Sequence, residues 1–225
     1  FFYDIVEADS SLKRRIHINE EWREFMMQNY AVIMGWIRYN KAIFIQDRNP
    51  GVPGVMYKIA PEMEAKHKSL KAARELWIAT VQLTGRPLHE IYTGRELDIN
   101  SFDLDHFVPR SYVSNDELWN LSPTTKNINS VKGNQLPNLY EDFERLAELQ
   151  HKALMMCNDY EIVRHKFKIC LDYHVNSTEI RNSLYQPDID LPSYRERLYN
   201  VIQPVYDSAK MGGFTEWIPR KQRWK

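Results

Sequence analysis

The stretch Ser101-Phe-Asp103-Leu-Asp105-His106-Phe-Val-Pro109-Arg110-Ser111, continued by Trp119-Asn120-Leu-Ser-Pro123 and Lys126-Asn127-Ile-Asn129-Ser-Val-Lys132, does not read like scaffold. Asp105 is a hard oxygen donor and Asn129 offers a neutral carbonyl oxygen. Such a pair suits Mg²⁺ or Mn²⁺, ions that take one or two carboxylates, keep several waters and accept phosphate oxygens. His106 adds an imidazole that titrates near neutrality, at about 6.5 when unperturbed. A metal and a base side by side imply hydrolysis of a phosphodiester. Strand alternation puts Asp103 on the face of Asp105, where it either joins the metal shell or meets solvent.

Around this stretch the texture is β-prone, with runs at Glu90-Ile-Tyr92 and Phe102 to Phe107 and a Thr93-Gly94 turn between them, which predicts a small hairpin. Ser122-Pro123 reads as a cap and first-turn proline of a short helix ending at Gly133. The expected order is strand, strand, helix.

Both flanks read as helical. Upstream, Trp22, Phe25, Met26, Tyr30, Ile33, Ile37 and Phe44 recur at helical spacing, which predicts one long helix from Asn19 to Gln46 with its aromatic residues in a core. Asn49-Pro-Gly-Val-Pro-Gly54 stops it, and a second helix is expected from about His67 to Leu83, ended by Gly85-Arg-Pro87. Downstream, Asn138 to Glu141 resembles a capping box opening a helix to about Cys157, and Val163, Phe167 and Cys170 mark another. Asn176 to Ser193 reads as a linker, and Ser193 to Glu196 as a second box, opening a helix that must kink or stop near Pro204. The expected organisation is a helical region over 1–87, a small α+β core over 88–137, and a helical region over 138–225 with a basic tail.

The offsets Asp-His-x-x-Pro, then Asn120, Asn129 and Lys132, resemble the HNH endonuclease family, whose ββα-metal core is a hairpin and a helix clamping one metal ion. By that resemblance Asp105 is the metal-binding carboxylate and His106 the general base. Asn120 corresponds to the middle asparagine, which secures the loop and helps aim the histidine. Asn129 stands at the last letter, where many members have histidine and the HNH domains of CRISPR effector nucleases have a metal-ligating asparagine. Lys132 resembles the lysine of an N-x-x-K ending. With Arg110 and Lys126 it is a candidate contact to substrate phosphate, although basic side chains are also the commonest solvated ones. At roughly 2–6% background use per position, this pattern arises by chance on the order of 10⁻⁸ per starting point, so coincidence is not the alternative. The resemblance implies a Mg²⁺- or Mn²⁺-dependent endonuclease acting on DNA, with double-stranded DNA the expected substrate. A bacterial defence or restriction role beside a regulatory or sensor protein or domain extends that expectation. The rival reading is a helical nucleic-acid-binding or protein-interaction module whose HNH core is silent.

Composition adds limits. Lys plus Arg and Asp plus Glu number 30 each, so no global field announces a polyanionic partner, and any nucleic-acid contact must be local. One such patch is the tail, with Lys210, Arg220, Lys221, Arg223 and Lys225 near Trp217 and Trp224. The two cysteines, Cys157 and Cys170, form no C-x-x-C pair, which argues against a structural zinc site or disulfide framework and for a cytoplasmic chain. The most apolar run, Tyr30 to Ile37, is far short of the roughly 20 residues of a bilayer span, so no membrane partner is expected. The chain opens on Phe1-Phe2 without a signal-like segment, from which we expect a trimmed piece of a longer protein. The six other histidines, 17, 67, 89, 151, 165 and 174, have no spaced ligand partner and read as structural or exposed.

Overall fold

The computed structural model describes residues 2–8, 14–48, 70–113, 116–175 and 177–218. The breaker at 49–54, the first residues of the expected second helix, and Arg220, Lys221, Arg223, Trp224 and Lys225 of the basic tail lie outside the described residues. The chain divides into two compact units, 1–48 and 49–225. Its architecture is mostly helical with small antiparallel sheets.

In the first unit, β1 (Tyr3–Ala8) pairs antiparallel with β2 (Arg14–Ile18), Tyr3 lying opposite Ile18. The long helix expected from Asn19 is two helices, α1 (Glu20–Gln28) and α2 (Tyr30–Arg48). The break falls at Asn29, whose backbone N–H and side-chain amide both donate to the Phe25 carbonyl. A short amide competing for backbone bonds is what makes asparagine a poor interior helix residue. The expectation of an aromatic core on this segment is corrected. Trp22, Phe25, Tyr30 and Phe44 are 47–63% exposed, and among the described residues Ala42 is the buried apolar residue of the unit. Val32, Trp36 and Tyr39 are exposed on α2 as well. Periodicity tells which residues share a face, but a helix apolar all round has no single face for a small unit to cover.

The second unit opens with α3 (Lys71–Thr84), which buries Leu76 and Trp77 and ends as expected at Gly85, in the left-handed region at φ 63°. Next come β3 (Leu88–His89) and β4 (Glu96–Leu97), paired with each other, then β5 (Asp103–His106). A helical turn, α4 (Arg110–Val113), and a 3₁₀ turn (Leu118–Asn120) lead into β6 (Leu121–Thr124), the partner of β5. The predicted hairpin therefore has the wrong first strand. Glu90 to Tyr92 is a turn, held by the buried Glu90 carboxylate, which accepts from the hydroxyls of Thr93 and Thr124. Ser122-Pro123 is strand, not helix start. Proline is tolerated there because the sheet has two strands, so one edge of β6 needs no ladder donor. The helix starts at α5 (Lys126–Lys132), where the Thr125 hydroxyl accepts from Ile128 N–H, and it stops at Gly133 as expected.

Four helices complete the unit: α6 (Glu141–Asp159), α7 (Glu161–His174), α8 (Thr178–Leu184) and α9 (Leu191–Met211). The box before α6 is present one residue longer than expected: Asn138 Oδ1 accepts from the backbone of Tyr140 and Glu141, and Asp142 returns the bond to Asn138 N–H. The expected linker contains α8, capped by the Ser177 hydroxyl. The last helix starts before the predicted box, with Asp190 accepting from Ser193 N–H, and it continues past Pro204 to Met211. One apolar core runs from Ala73 to Trp217 through α3, the β5–β6 hairpin and α6, α7 and α9. No helix among the described residues is long and apolar enough to cross a membrane.

Candidate active site

β5, β6 and α5 form a ββα unit, with α5 packed on β5. Asp105 and His106 end β5, and both are buried. Asp105 Oδ2 accepts from Tyr92 Oη at 2.5 Å and meets Lys132 Nζ at 3.0 Å. Burial and the Asp105 carboxylate hold the Tyr92 hydroxyl well above its usual range, so it remains a proton donor. Both contacts fall on Oδ2, which leaves Oδ1 as the oxygen through which Asp105 could bind a cation.

His106 is held at two points. Its Nε2 lies 2.8 Å from Asp116 Oδ1, and its backbone carbonyl accepts from Lys132 Nζ at 2.8 Å. Asp116 also accepts from Arg110 Nε at 3.1 Å. Burial alone would raise the Asp116 carboxyl, but the hydrogen bond and charge of His106, with the charge of Arg110, outweigh it and hold it below the usual carboxylate range. An ionised carboxylate only accepts, so Nε2 is the nitrogen that donates to Asp116, and in a neutral ring the lone pair would fall on Nδ1.

Asn120 is fully buried. Its Nδ2 donates to Val108 O at 2.9 Å, its Oδ1 accepts from Val108 N–H at 2.7 Å, and its own carbonyl accepts from Phe107 N–H. One side chain thus satisfies both backbone groups two residues beyond His106, which fixes the chain as it leaves β5. The preceding turn is fixed in its own right: Gln150 of α6 donates to the carbonyls of Leu118, Trp119 and Leu121, and accepts from the Tyr194 hydroxyl of α9.

Asn129, half-buried on α5, donates its Nδ2 to Asp103 Oδ2 at 2.8 Å. Asp103 also faces Arg74 Nη2 at 3.5 Å. The structure thus joins Asp103 to Asn129 and Asp105 to Lys132 where α5 packs on β5, with the His106 backbone carbonyl on the same lysine and the His106 ring against Asp116. Lys126 is exposed on the first turn of α5, as is Asn127, and Arg110 is committed to Asp116. Lys132 differs from the phosphate contact expected of it: it is 1% exposed, its ammonium bound to Asp105 and the His106 carbonyl, over the Tyr92 ring. A buried ammonium needs such partners to offset its desolvation.

The donor set fits a hard divalent cation. Asp105 Oδ1 and the Asn129 amide oxygen are hard donors on adjacent elements, and an ion that keeps several waters needs few protein ligands. Among the described residues no group of three or more His, Cys, Asp or Glu side chains forms a metal cage. Sequence reasoning missed Asp116 and Tyr92. Asp116 sits in an irregular loop at no motif position, and Tyr92 was read as part of a strand.

Residues 90–138 match the family model described as HNH endonuclease. A segment of 53 residues, 22% of this chain, is 38% identical to the CRISPR-associated endonuclease Cas9 of Listeria innocua, of whose length it covers 4%. The likeness is therefore one of a core segment, and the family match holds the β5–β6 hairpin, α5 and the candidate residues from Asp103 to Lys132. No solved structure matches the chain significantly. Both matches support a nuclease core.

Proposed function

We propose that this chain is a divalent-metal-dependent endonuclease that hydrolyses DNA phosphodiester bonds, with double-stranded DNA as substrate. A bacterial defence or restriction role, beside a sensor protein or domain, belongs to the same proposal. The observation that carries it is the ββα unit in which α5 sets Asn129 beside Asp103 and Lys132 beside Asp105, next to His106, whose Nε2 is held 2.8 Å from Asp116.

In this reading Asp105 and Asn129 hold Mg²⁺ or Mn²⁺, with Asp103 beside them. When bound, the ion neutralises charge on the phosphate and its leaving oxygen. His106 takes a proton from water at Nδ1 as the water oxygen bonds to phosphorus. The bond from phosphorus to the 3′ oxygen breaks, and that oxygen takes a proton from solvent, giving 5′-phosphate and 3′-hydroxyl ends. Asn120 keeps the loop after His106 in place. Lys132 holds Asp105 from within the core, and the phosphate contact falls to Lys126, since Arg110 is engaged by Asp116.

Nicking of supercoiled plasmid tests this. Cleavage is expected with Mg²⁺ or Mn²⁺, less with Zn²⁺, and none in excess EDTA. His106→Ala should lower the rate by about 10²-fold or more with DNA affinity nearly unchanged, since a general base contributes roughly 10²–10⁴. Robust cutting in EDTA would refute the metal requirement, and equal losses of binding and turnover would make His106 structural. Wild-type protein that binds DNA without cutting it would be the silent module.

A further inference from the structure

The His106–Asp116 contact goes beyond the motif, since Asp116 stands at none of its positions. Both side chains are about 90% buried, so the 2.8 Å bond is shielded from competing water. Asp116 is itself fixed from two directions. Arg110 Nε donates to the same carboxylate oxygen from α4, and His174, buried at the end of α7, places Nδ1 2.8 Å from the Asp116 carbonyl. The carboxylate is thus anchored by its backbone to the C-terminal helices, and its direction is set by an arginine. A residue that only closed a loop would not need its acceptor aimed at the imidazole of the base.

We infer that Asp116 is a positioning residue: it holds His106 as the Nε2–H tautomer, so that Nδ1 faces the water to be deprotonated. This rests on the nuclease reading for its consequence, but not for its geometry. Its role parallels the carboxylate of a catalytic triad, which orients the imidazole, selects its tautomer and stabilises the imidazolium formed when the proton arrives. Asp116 touches no reacting atom and acts through His106.

The test uses the whole chain with Asp116→Ala and Asp116→Asn. Ring-nitrogen NMR of ¹⁵N-histidine-labelled protein reads the tautomer, and single-turnover plasmid cleavage with Mg²⁺ reads the consequence. Wild type should show a protonated Nε2 and a bare Nδ1 on His106. Asp116→Ala removes the acceptor, and the ring should pass to a mixture of tautomers, with cleavage lowered by about 10²-fold or more at unchanged DNA affinity. Asp116→Asn keeps an acceptor oxygen, to which Arg110 also donates, so the tautomer should survive with a smaller loss of rate. If Asp116→Ala does not fold, Asp116→Ser, too short to reach the ring, replaces it with the same expectation. A wild-type tautomer or a wild-type rate in the folded alanine or serine variant overturns the inference. A wild-type protein that cuts nothing overturns the nuclease reading instead, and the tautomer still decides the role of Asp116.

Discussion

Asn129 presents its amide to Asp103 nitrogen first, which turns the carbonyl oxygen away from that carboxylate and frees it for a cation. Asn129→Asp keeps an oxygen in nearly the same place but loses the donor to Asp103, so its carboxylate meets another one, a repulsion that a divalent ion relieves. Metal binding should survive that change. On the proposed reading Asn129→Ala removes a ligand, and it should raise the Mg²⁺ concentration for half-maximal cleavage several-fold. A Mg²⁺ titration of plasmid cleavage for wild type and both variants, with melting curves alongside, checks this. Superimposable titrations would move the second ligand to Asp103. At this scale the sequence was most legible: Asp105, His106, Asn120 and Asn129 were marked by side-chain type at fixed offsets. What it did not show was direction, as with Lys132, whose charge suggested the surface and whose ammonium lies in the core.

The helix start at α6 is set by local chemistry. Asn138 and Asp142 close the start of α6 reciprocally, but Asp142 is only 5% exposed. Burial pushes its carboxyl up to about 6, against the Asn138 N–H and Arg145, which pull the other way. The sign follows from linkage. A carboxyl raised above its unfolded value of 3.8 favours the folded state below about pH 4, and that contribution is lost as pH rises through about 6. Asp142→Asn keeps an acceptor for Asn138 N–H without the charge. It should therefore raise stability at pH 8 by on the order of 1–2 kcal/mol, with the gain vanishing near pH 4. Thermal melts of both proteins from pH 4 to 8 measure this, and a pH-independent difference would contradict it. Strand pairing was less legible. Both candidate strands before Gly133 carried β-prone residues, but Glu90 to Tyr92 became a turn because its carboxylate is satisfied by Thr93 and by Thr124, which is 34 positions away.

Among the described residues the buried apolar core runs from Ala73 to Trp217, while those of 1–48 leave most of their large apolar side chains exposed. A chain lacking residues 1–48 should therefore keep the cooperative melting transition of the second unit. Its midpoint should stay within about 4 °C, the shift that roughly 1 kcal/mol produces at this size. Scanning calorimetry of the truncated and full chains checks this, and loss of the transition would mean that the core depends on the first unit. The second unit also explains why so small a ββα core holds its shape without cysteine ligands. Gln150 and Tyr194 of α6 and α9 fix the turn before β6, His174 of α7 fixes Asp116, and Trp217 returns to pack edge-on against Tyr92 at 5.2 Å.

The sequence by itself marked the residues of the candidate site and several helix ends. Side-chain types at fixed offsets, and end signals such as Gly85 after α3 or Gly133 after α5, act within a few residues, where the pattern is visible. Only the tertiary structure decided that β6 pairs with β5, that Lys132 points inward to Asp105, and that Asp116 meets His106. Each joins residues 10 to 27 apart through burial and hydrogen-bond satisfaction. Those terms depend on what surrounds a group in space, which no spacing along the chain records.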